Sequence, residues 1–328
     1  MKSYWMQVGD ATTTTLELRD AALPEPGPQQ IVVQVHAAGL NRGEFIAGHG
    51  LHGHGGSAKA LGMEAAGTVL KCGAGVTHLQ VGERVMGRCP GAFAEAALMD
   101  AREAMRVPDA LAWDEAAAIP LTFLVVYDML VLQGRLKADE WLLVAGVSSG
   151  VGVAALQTAK ALGAKVIGTS GSAAKLERLA ALGLDVGLCT RAAEFHGAVL
   201  EATRGEGVNL VVNAVGGSHF AQCVRCMAFE ARLATVGYVD GVLRAEIDIE
   251  ALHAKRLTLF GVSNKLRTPQ QRAQAVPGFV ADVLPLLARG AIKPVLDRVF
   301  PFEQLAQAKA HMESNAHVGK IVLAGIAR

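Results

Sequence analysis

The sequence has very little net charge. Its 31 lysine and arginine residues are balanced by 30 aspartate and glutamate residues, which leaves a formal charge of +1 over 328 residues. The chain has neither a basic stripe nor an acidic tail, so the charge pattern does not indicate a nucleic acid or a membrane surface as partner. The composition instead favours a small metabolite as the ligand.

Cysteine is also sparse. The five cysteines are Cys72, Cys89, Cys189, Cys223 and Cys226. They form no framework of pairs, which predicts inert thiols in a reducing compartment. They also provide no closely spaced set of four thiolates for a structural zinc ion.

No hydrophobic run is long enough to span a membrane. The longest candidate, residues 142–156, carries no charge but contains several Gly and Ser residues and is closed by Gln157 and Lys160. A spanning helix needs about 20 apolar residues. The first residues run from Met1 to Asp10 without an apolar segment, so we expect no secretory signal and a cytoplasmic protein.

The most informative stretch is 141–152, Trp-Leu-Leu-Val-Ala-Gly-Val-Ser-Ser-Gly-Val-Gly. An apolar run passes into a turn of small residues and then into a helical pattern. Small residues permit tight turning and close approach of a ligand, and the N-terminal amides of the helix favour an anion. This pattern is typical of the phosphate-binding turn of a dinucleotide site.

The glycine spacing departs from the usual G-x-G-x-x-G, because Val147 and Ser149 occupy two glycine positions and only Gly152 is kept. An ordinary strand-turn-helix crossover is therefore an alternative interpretation. A second short apolar strand at 164–169 completes a strand-helix-strand unit of about 30 residues, which favours the dinucleotide interpretation.

The length of the chain predicts two domains. Short strands predicted in the first third indicate a small antiparallel barrel or sandwich. They are residues 14–18, 31–35, 66–70, 84–86 and 92–98. A helical pattern begins at residue 109, and strands and helices alternate from residue 141 to 236, which predicts a parallel sheet covered on both faces.

Beyond this alternation, 257–262 reads as one more strand and 268–287 as a helical segment interrupted by prolines. A helix at 302–312 and a strand at 320–323 are predicted to rejoin the N-terminal domain. The predicted division is 1–122 for the first part of one domain, 123–262 for the inserted domain and 263–328 for the return.

Eight motifs in order resemble the medium-chain dehydrogenase/reductase superfamily, and within it the zinc-independent quinone oxidoreductases related to zeta-crystallin. The motifs are 23–28 (LPEPGP), 37–41 (AAGLN), 62–67 (GMEAAG), 81–85 (VGERV), 92–95 (AFAE), 146–152, 214–217 (AVGG) and 317–323 (HVGKIVL). The resemblance implies an α/β fold in which a doubly wound Rossmann domain is inserted into a GroES-like β-barrel catalytic domain. It also implies a nicotinamide cofactor and a homodimer.

Zinc-dependent relatives carry a cysteine after the Ala-Ala-Gly segment and a histidine before the glutamate of Gly-x-Glu. Here Leu40 and Asn41 occupy the first place and Met63 the second, so we assign no metal ligand. Without this Lewis acid an alkoxide would not be stabilised. The resemblance therefore implies hydride transfer from NADPH to a quinone or another α,β-unsaturated carbonyl.

Asn41 matches the family's asparagine, whose side-chain amide can polarise a carbonyl group. It is therefore the candidate catalytic residue. The alternative is that Asn41 only caps a turn. Ile46 and Gly48 stand where several quinone reductases have a tyrosine and an arginine, and 124–126 is Leu-Val-Val instead of Leu-Thr-Ala. These departures predict a roomier, more apolar pocket.

NADPH is predicted over NADH because the second Rossmann strand ends in Thr-Ser-Gly-Ser (169–172), without the acid that binds the ribose 2′-hydroxyl. Ser170, Ser172, Lys175 and Arg191 can contact the 2′-phosphate. In the alternative, Lys175 and Arg191 are ordinary solvated residues. The complete set of predicted cofactor contacts is Ile46, Ser148, Ser149, Gly150, Val151, Ser170, Gly171, Ser172, Lys175, Arg191, Val215, Gly237 and Tyr238.

Three questions stay open. His49, His52 and His54 lie in a glycine-rich loop, where a metal site or a proton donor competes with a plain solvated loop. The strand 257–262 is expected at a sheet edge that pairs in a homodimer, unless 241–250 covers it. An enoyl thioester reductase and a non-catalytic NADPH-binding protein are the alternative functions.

Overall fold

The structure is a computed structural model that describes residues 1–8, 14–45, 58–192 and 194–326. These residues form two compact units. The first contains residues 1–124, 265–290 and 294–328, and the second contains residues 125–264 and 291–293. Ile46 and the three-histidine loop at 48–56 lie outside the described residues.

The N-terminal part of the first unit is rich in strands. They are β1 (Lys2–Val8), β2 (Thr14–Asp20), β3 (Gln30–Gly39), β4 (Lys59–Ala60), β5 (Glu64–Cys72), β6 (Arg84–Arg88), β7 (Ala96–Asp100) and β8 (Ala104–Arg106). A 3-10 turn spans Arg42–Phe45, and two helices follow the strands, α1 (Trp113–Ala117) and α2 (Pro120–Tyr127).

The second unit alternates strands and helices after a π-helical turn at Asp128–Gln133. Its elements are β9 (Trp141–Ala145), α3 (Gly150–Ala161), β10 (Lys165–Ser170), α4 (Ala173–Ala180), β11 (Val186–Cys189), α5 (His196–Ala202), β12 (Val208–Asn213), α6 (Gly217–Arg225), β13 (Met227–Thr235), α7 (Ile249–Ala254) and β14 (Thr258–Gly261). This confirms the predicted alternation.

The chain then completes the first unit. Its last elements are α8 (Pro269–Ala273), α9 (Val276–Asp282), α10 (Leu284–Ala288), β15 (Leu296–Pro301), α11 (Leu305–Glu313) and β16 (Lys320–Ala324). Pro277 and Pro285 lie in the first turns of α9 and α10. Proline cannot donate a helical hydrogen bond, so the segment predicted at 268–287 is divided into three short helices.

A seven-stranded sheet organises the first unit, with the order β15-β16-β3-β5-β6-β8 and β7 paired to β3; a second sheet has the order β2-β1-β4. Only β15 and β16 pair in parallel among the paired strands of these sheets that the structure describes. The strand predicted at 92–98 is wrong in position, because β7 begins at Ala96. Phe93, just before it, is fully buried in the core between the sheets.

A six-stranded parallel sheet organises the second unit, with the order β11-β10-β9-β12-β13-β14. From the central strand β9 the chain moves outward to β11, then returns to β12 and moves outward on the other side. The strand order therefore reverses between β9 and β12, and ligands of such sheets bind beyond the carboxyl ends of the strands at this place.

Within the residues that the structure describes, no helix is both long and apolar enough to cross a membrane.

Candidate functional site

The turn after β9 begins the candidate site. Gly146 has a positive φ of 83°, and the Ser149 hydroxyl donates to the Gly146 carbonyl at 2.9 Å. The same hydroxyl accepts from Gly152 N at 3.1 Å and caps α3. Ser148, Ser149, Gly150 and Val151 are half-buried around this turn. The first N–H groups of a helix have no intrahelical acceptor, so this turn offers donors to an anion.

Packing explains why only one glycine of the usual spacing is kept. A Cβ at residue 152 would lie 2.6 Å from the carbonyl oxygens of both Gly146 and Val147, so only glycine fits there. Val147 is fully buried, and its side chain occupies the space beside Gly168 in β10, where an added Cβ would lie 2.6 Å from Val147 Cγ1. The absence of a side chain at Gly168 in β10 therefore makes room for Val147.

The turns after β10 and β11 bring the predicted phosphate contacts together. Ser172 caps α4 by accepting from Lys175 N at 3.4 Å. The exposed Arg191 lies across Gly171 and donates from Nε to the Gly171 carbonyl at 3.5 Å. Ser170 is buried. Ser170, Ser172 and Arg191 therefore lie on adjacent turns at the carboxyl edge of the sheet, and Lys175 lies in the first turn of α4.

The turn after β12 is fixed by Asn213, which is completely buried. Its Oδ1 accepts from the N–H groups of Val215 and Gly216 at 3.0 Å, and its Nδ2 donates to the Gly216 carbonyl at 2.9 Å. Val215 thereby lies beside the β9 turn, since its Cγ2 is 3.5 Å from the place of a Cβ on Gly146. Gly237 and the half-exposed Tyr238 follow β13 at the same edge.

The first unit contains a buried polar cluster around Asn41. Lys320, at the start of β16, directs its ammonium group to Glu64 Oε1 at 2.6 Å, Asn41 Oδ1 at 2.9 Å and the Leu40 carbonyl at 2.9 Å. Its three donors therefore have three acceptors. Glu64 is fully buried and also accepts from the backbone N–H of Leu121 at 2.8 Å.

The orientation of the Asn41 amide is determined by the chemistry of this cluster. Nδ2 donates to Glu44 Oε1 at 2.8 Å and to Glu64 Oε1 at 2.9 Å, while Oδ1 accepts from Lys320. The reversed amide would direct an N–H group at the Lys320 ammonium and its oxygen at the Glu64 carboxylate that this ammonium pairs with, so it is excluded. Both amide hydrogens are engaged in this arrangement.

Burial raises the pKa of Glu44 to about 8, although the hydrogen bond from Asn41 and the charge of Lys320 both lower it. Glu44 is 4% exposed. Desolvation penalises the charged carboxylate, and the nearby Glu64 adds repulsion of like charge. Burial of this carboxyl group therefore favours its neutral form.

Sequence reasoning missed Glu44, Glu64, Lys320 and Asn213 as site residues. Glu64 and Lys320 lie in two of the family motifs, 62–67 and 317–323, which were the available signal. Their pairing across 256 residues carries no local signature.

No group of three or more histidine, cysteine, aspartate or glutamate side chains suited to a metal ion occurs among residues 1–8, 14–45, 58–192 and 194–326. At the places where zinc-dependent relatives have ligands, Leu40 is buried among apolar residues and the Asn41 amide is hydrogen-bonded to protein groups. Met63 occupies the histidine position. This donor set does not fit a catalytic zinc ion.

Two family profiles match the chain. Residues 27–109 match the alcohol dehydrogenase GroES-like domain, and residues 150–278 match the zinc-binding dehydrogenase family. The chain therefore belongs to the medium-chain dehydrogenase/reductase superfamily. The predicted fold class, a GroES-like domain with a parallel-sheet Rossmann domain, is confirmed.

Two solved structures illustrate the kinds of protein that this chain resembles. The quinone oxidoreductase of Escherichia coli, solved in complex with NADPH, is 26% identical with a TM-score of 0.84, over 99% of this chain and 100% of that one. The CurK enoyl reductase is 25% identical with a TM-score of 0.80, over 94% and 95%.

A phenolphthiocerol/phthiocerol polyketide synthase protein of Mycobacterium tuberculosis is 32% identical over 94% of this chain. The chain spans only 14% of that protein. This similarity therefore concerns one part of a much longer polypeptide.

Proposed function

We propose that this chain is an NADPH-dependent oxidoreductase that transfers a hydride to a quinone or another α,β-unsaturated carbonyl without zinc. The observation that carries the proposal is the donor set around Asn41. Protein hydrogen bonds engage its amide, and Lys320 neutralises Glu64, at the place where relatives hold a metal. An alcohol must form an alkoxide before it gives up a hydride, and a Lewis acid stabilises that alkoxide. A conjugated acceptor takes up the hydride directly and needs no such metal ion.

The second unit supports the cofactor assignment. The turn of residues 146–149 and the first amides of α3 would hold the pyrophosphate, and Ser172, Lys175 and Arg191 would hold the 2′-phosphate. These groups lie along the carboxyl edge of β9, β10 and β11 in one sheet. The cofactor, when bound, supplies the hydride, while the chain binds and orients both reactants.

Asn41 would donate from Nδ2 to the substrate oxygen that gains charge. Both amide hydrogens are directed to Glu44 and Glu64 in the structure, so this role requires that one of them be released. The hydrogen bond that breaks would be the weaker of the two that Asn41 Nδ2 donates to these glutamates.

The test is oxidation of NADPH and of NADH, followed by absorbance with panels of quinones, enones, enoyl thioesters and alcohols. We expect turnover with quinones or enones, inactivity with alcohols, and far less than one zinc ion per chain by metal analysis. Turnover with alcohols together with one tightly held zinc would overturn the proposal. Binding of NADPH without turnover of any acceptor would instead indicate a non-catalytic binding protein.

An enoyl thioester reductase is the second candidate, favoured by the similarity to CurK enoyl reductase and to polyketide synthases. Both reactions deliver a hydride to a conjugated carbonyl. The two candidates differ in the group attached to the carbonyl of the substrate, so comparing a thioester with its matched enone in kcat/KM separates them. A preference for the thioester of about tenfold or more would select this candidate.

We also propose a homodimer formed through β14, which is the terminal strand of the six-stranded sheet. In the part of the chain that the structure describes, β14 pairs with β13 alone. An unpaired strand edge is suited to pairing with a second copy.

A further inference from the structure

The carboxylate of Asp240 fastens the β13 loop, which is the segment 236–248 between β13 and α7, to the start of α6. Its Oδ2 accepts from the backbone N–H of Ser218 at 2.9 Å and from the Ser218 hydroxyl at 2.5 Å. Its Oδ1 accepts from the N–H of Val242 at 2.9 Å, within the loop itself. The N–H of Asp240 donates to the Val215 carbonyl at 3.1 Å. Asp240 therefore joins the β13 loop to the turn after β12.

Two glycines at the start of α6 make room for the β13 loop. Gly216 has a φ of 131°, and a Cβ at this position would overlap Asp240 Oδ1. A Cβ on Gly217 would lie 2.7 Å from the carbonyl oxygen of Val242 and 2.8 Å from that of Arg244. The N–H of Gly217 donates to the same Val242 carbonyl at 2.9 Å. The absence of side chains at 216 and 217 therefore allows the loop to lie directly on the first turn of α6.

A chain of hydrogen bonds connects this carboxylate to the interior of the second unit. The Ser218 hydroxyl has one hydrogen, which Asp240 accepts, so the hydroxyl oxygen is the acceptor for His219 Nδ1 at 3.0 Å. His219 is 8% exposed, and its ring stacks on that of Phe195 in the core. Ser218 is therefore held from the core side, which gives Asp240 a fixed partner.

The contacts of Asp240 keep it ionised. Partial burial raises its pKa, but the hydrogen bonds from Ser218 and Val242 outweigh this effect, so the pKa lies below its ordinary value. The first amides of a helix favour an anion. At α6 the chain supplies that anion itself, and hydrogen bonds to an ionised acceptor are roughly twice as strong as those between neutral groups.

The strand order separates the predicted cofactor contacts into two groups on opposite sides of β9. The predicted 2′-phosphate contacts follow β10 and β11, whereas Val215, Gly237 and Tyr238 follow β12 and β13. A dinucleotide lies across the place where the strand order reverses, with one mononucleotide on each side. The segments that Asp240 joins would therefore meet the nicotinamide half of the cofactor, which NADPH and NADH have in common.

We propose, on the basis of the function proposed above, that Asp240 is a positioning residue for the nicotinamide half of the cofactor. It acts through the β13 loop, by holding Gly237 and Tyr238 beside Val215 before the cofactor binds. Ordering a loop during binding costs free energy, and a loop that is already held in place avoids this cost. Loss of the carboxylate should therefore weaken the binding of NADPH and NADH alike, in contrast to loss of Lys175.

The test is calorimetric titration of the full chain with NADPH and with NADH, in wild type, Asp240→Ala and the matched control Thr203→Ala. Thr203 Oγ1 accepts from the Gly207 N–H at 3.0 Å and donates to the Val199 carbonyl at 2.9 Å, at the amino edge of the same sheet. Thermal unfolding should show that both variants are destabilised. The Kd for both cofactors should rise about tenfold or more in D240A and remain close to the wild-type value in T203A.

Two further variants act on the same contact and remain informative if D240A folds poorly. Asp240→Asn keeps the shape of the side chain, but its amide nitrogen cannot accept a hydrogen bond, so its Kd values should lie between those of wild type and D240A. Gly217→Ala should raise both Kd values by displacing Val242 and Arg244 while leaving the Asp240 side chain unchanged. Hydrogen exchange of the cofactor-free protein should be faster at 237–244 in all three variants, and unchanged there in T203A.

The possible results separate this proposal from the proposed function. Unchanged Kd values in D240A, a loss confined to NADPH, or equal losses in D240A and T203A would each overturn the role of Asp240. If wild type binds NADPH but turns over no acceptor, the proposed reaction is rejected, while the Kd values still decide whether Asp240 positions the cofactor. A wild type that binds neither cofactor would reject both.

Discussion

Lys320 Nζ lies 2.6 Å from Glu64 Oε1 in the interior of the first unit, with the Glu64 side chain fully buried. The lysine has an acceptor for each of its donors, and the glutamate is hydrogen-bonded at both oxygens. This pair fixes the direction of the Asn41 amide, because an ammonium can only donate and a carboxylate can only accept.

Lys320→Met should destabilise the protein by about 3–5 kcal/mol, since it leaves the Glu64 carboxylate buried without a counter-charge. Chemical denaturation at pH 7 measures this loss. The double variant E64Q/K320M should be more stable than the sum of the single variants predicts, because it removes both charges together. The matched control is Lys309→Met in the more exposed pair with Glu313, where we expect about 1 kcal/mol or less. Equal losses in K320M and K309M would contradict the pairing.

Gly152→Ala and Gly197→Ala should have opposite effects. A Cβ at 152 meets two carbonyl oxygens at 2.6 Å, whereas nothing lies within 4 Å of a Cβ at 197 in α5. G152A should therefore lower the melting temperature and weaken NADPH binding by distorting the phosphate-binding turn. G197A should raise stability by about 0.5–1 kcal/mol, because alanine favours the helix. NADPH affinity measured by calorimetry would be expected to change only in G152A, and a normal affinity there would place the pyrophosphate elsewhere.

Lys175→Ala should raise the KM for NADPH while leaving the KM for NADH nearly unchanged. A charge-assisted contact to the 2′-phosphate contributes about 1.5–3 kcal/mol, which is roughly a 10- to 150-fold change. Arg191→Ala should act in the same direction. Lys165→Ala is the control, because Lys165 starts β10 at the opposite end of the strand and lies over the Trp141 ring. Equal weakening of NADPH and NADH in K175A would show that Lys175 does not recognise the phosphate.

The double variant T258K/G261K should convert the proposed dimer to a monomer. Thr258 is exposed, and a side chain at 261 meets nothing within 4 Å, so each lysine fits the free edge of β14 without disturbing the unit. Lysines repel one another across a paired edge. Sedimentation at micromolar concentration would detect the change, with Gly197→Lys as the control for an added surface charge. A monomeric wild type would reject the dimer.

Local patterns in the sequence were sufficient to predict the parallel sheet of the second unit, whereas the GroES-like class of the first unit was implied by the family resemblance. The alternation of apolar strands and amphipathic helices from residue 141 onward, with Gly163 and Gly183 after α3 and α4, specifies a parallel sheet through short-range periodicity. The carboxyl ends of such strands meet at one edge, so the turn at 146–149 and residues 170–172 could be assigned to one candidate site.

The state of the cluster around Asn41 was decided by tertiary structure alone. Asn41 is identifiable by its motif, but its partners Glu64 and Lys320 are 23 and 279 residues away in sequence. The raised pKa of Glu44 arises from desolvation, which depends on the atoms that pack around a group and not on its neighbours in the chain. The sequence by itself thus determined the architecture and the residue types available for chemistry. The folded structure decided which hydrogen bonds they make and how deeply each carboxyl group is buried.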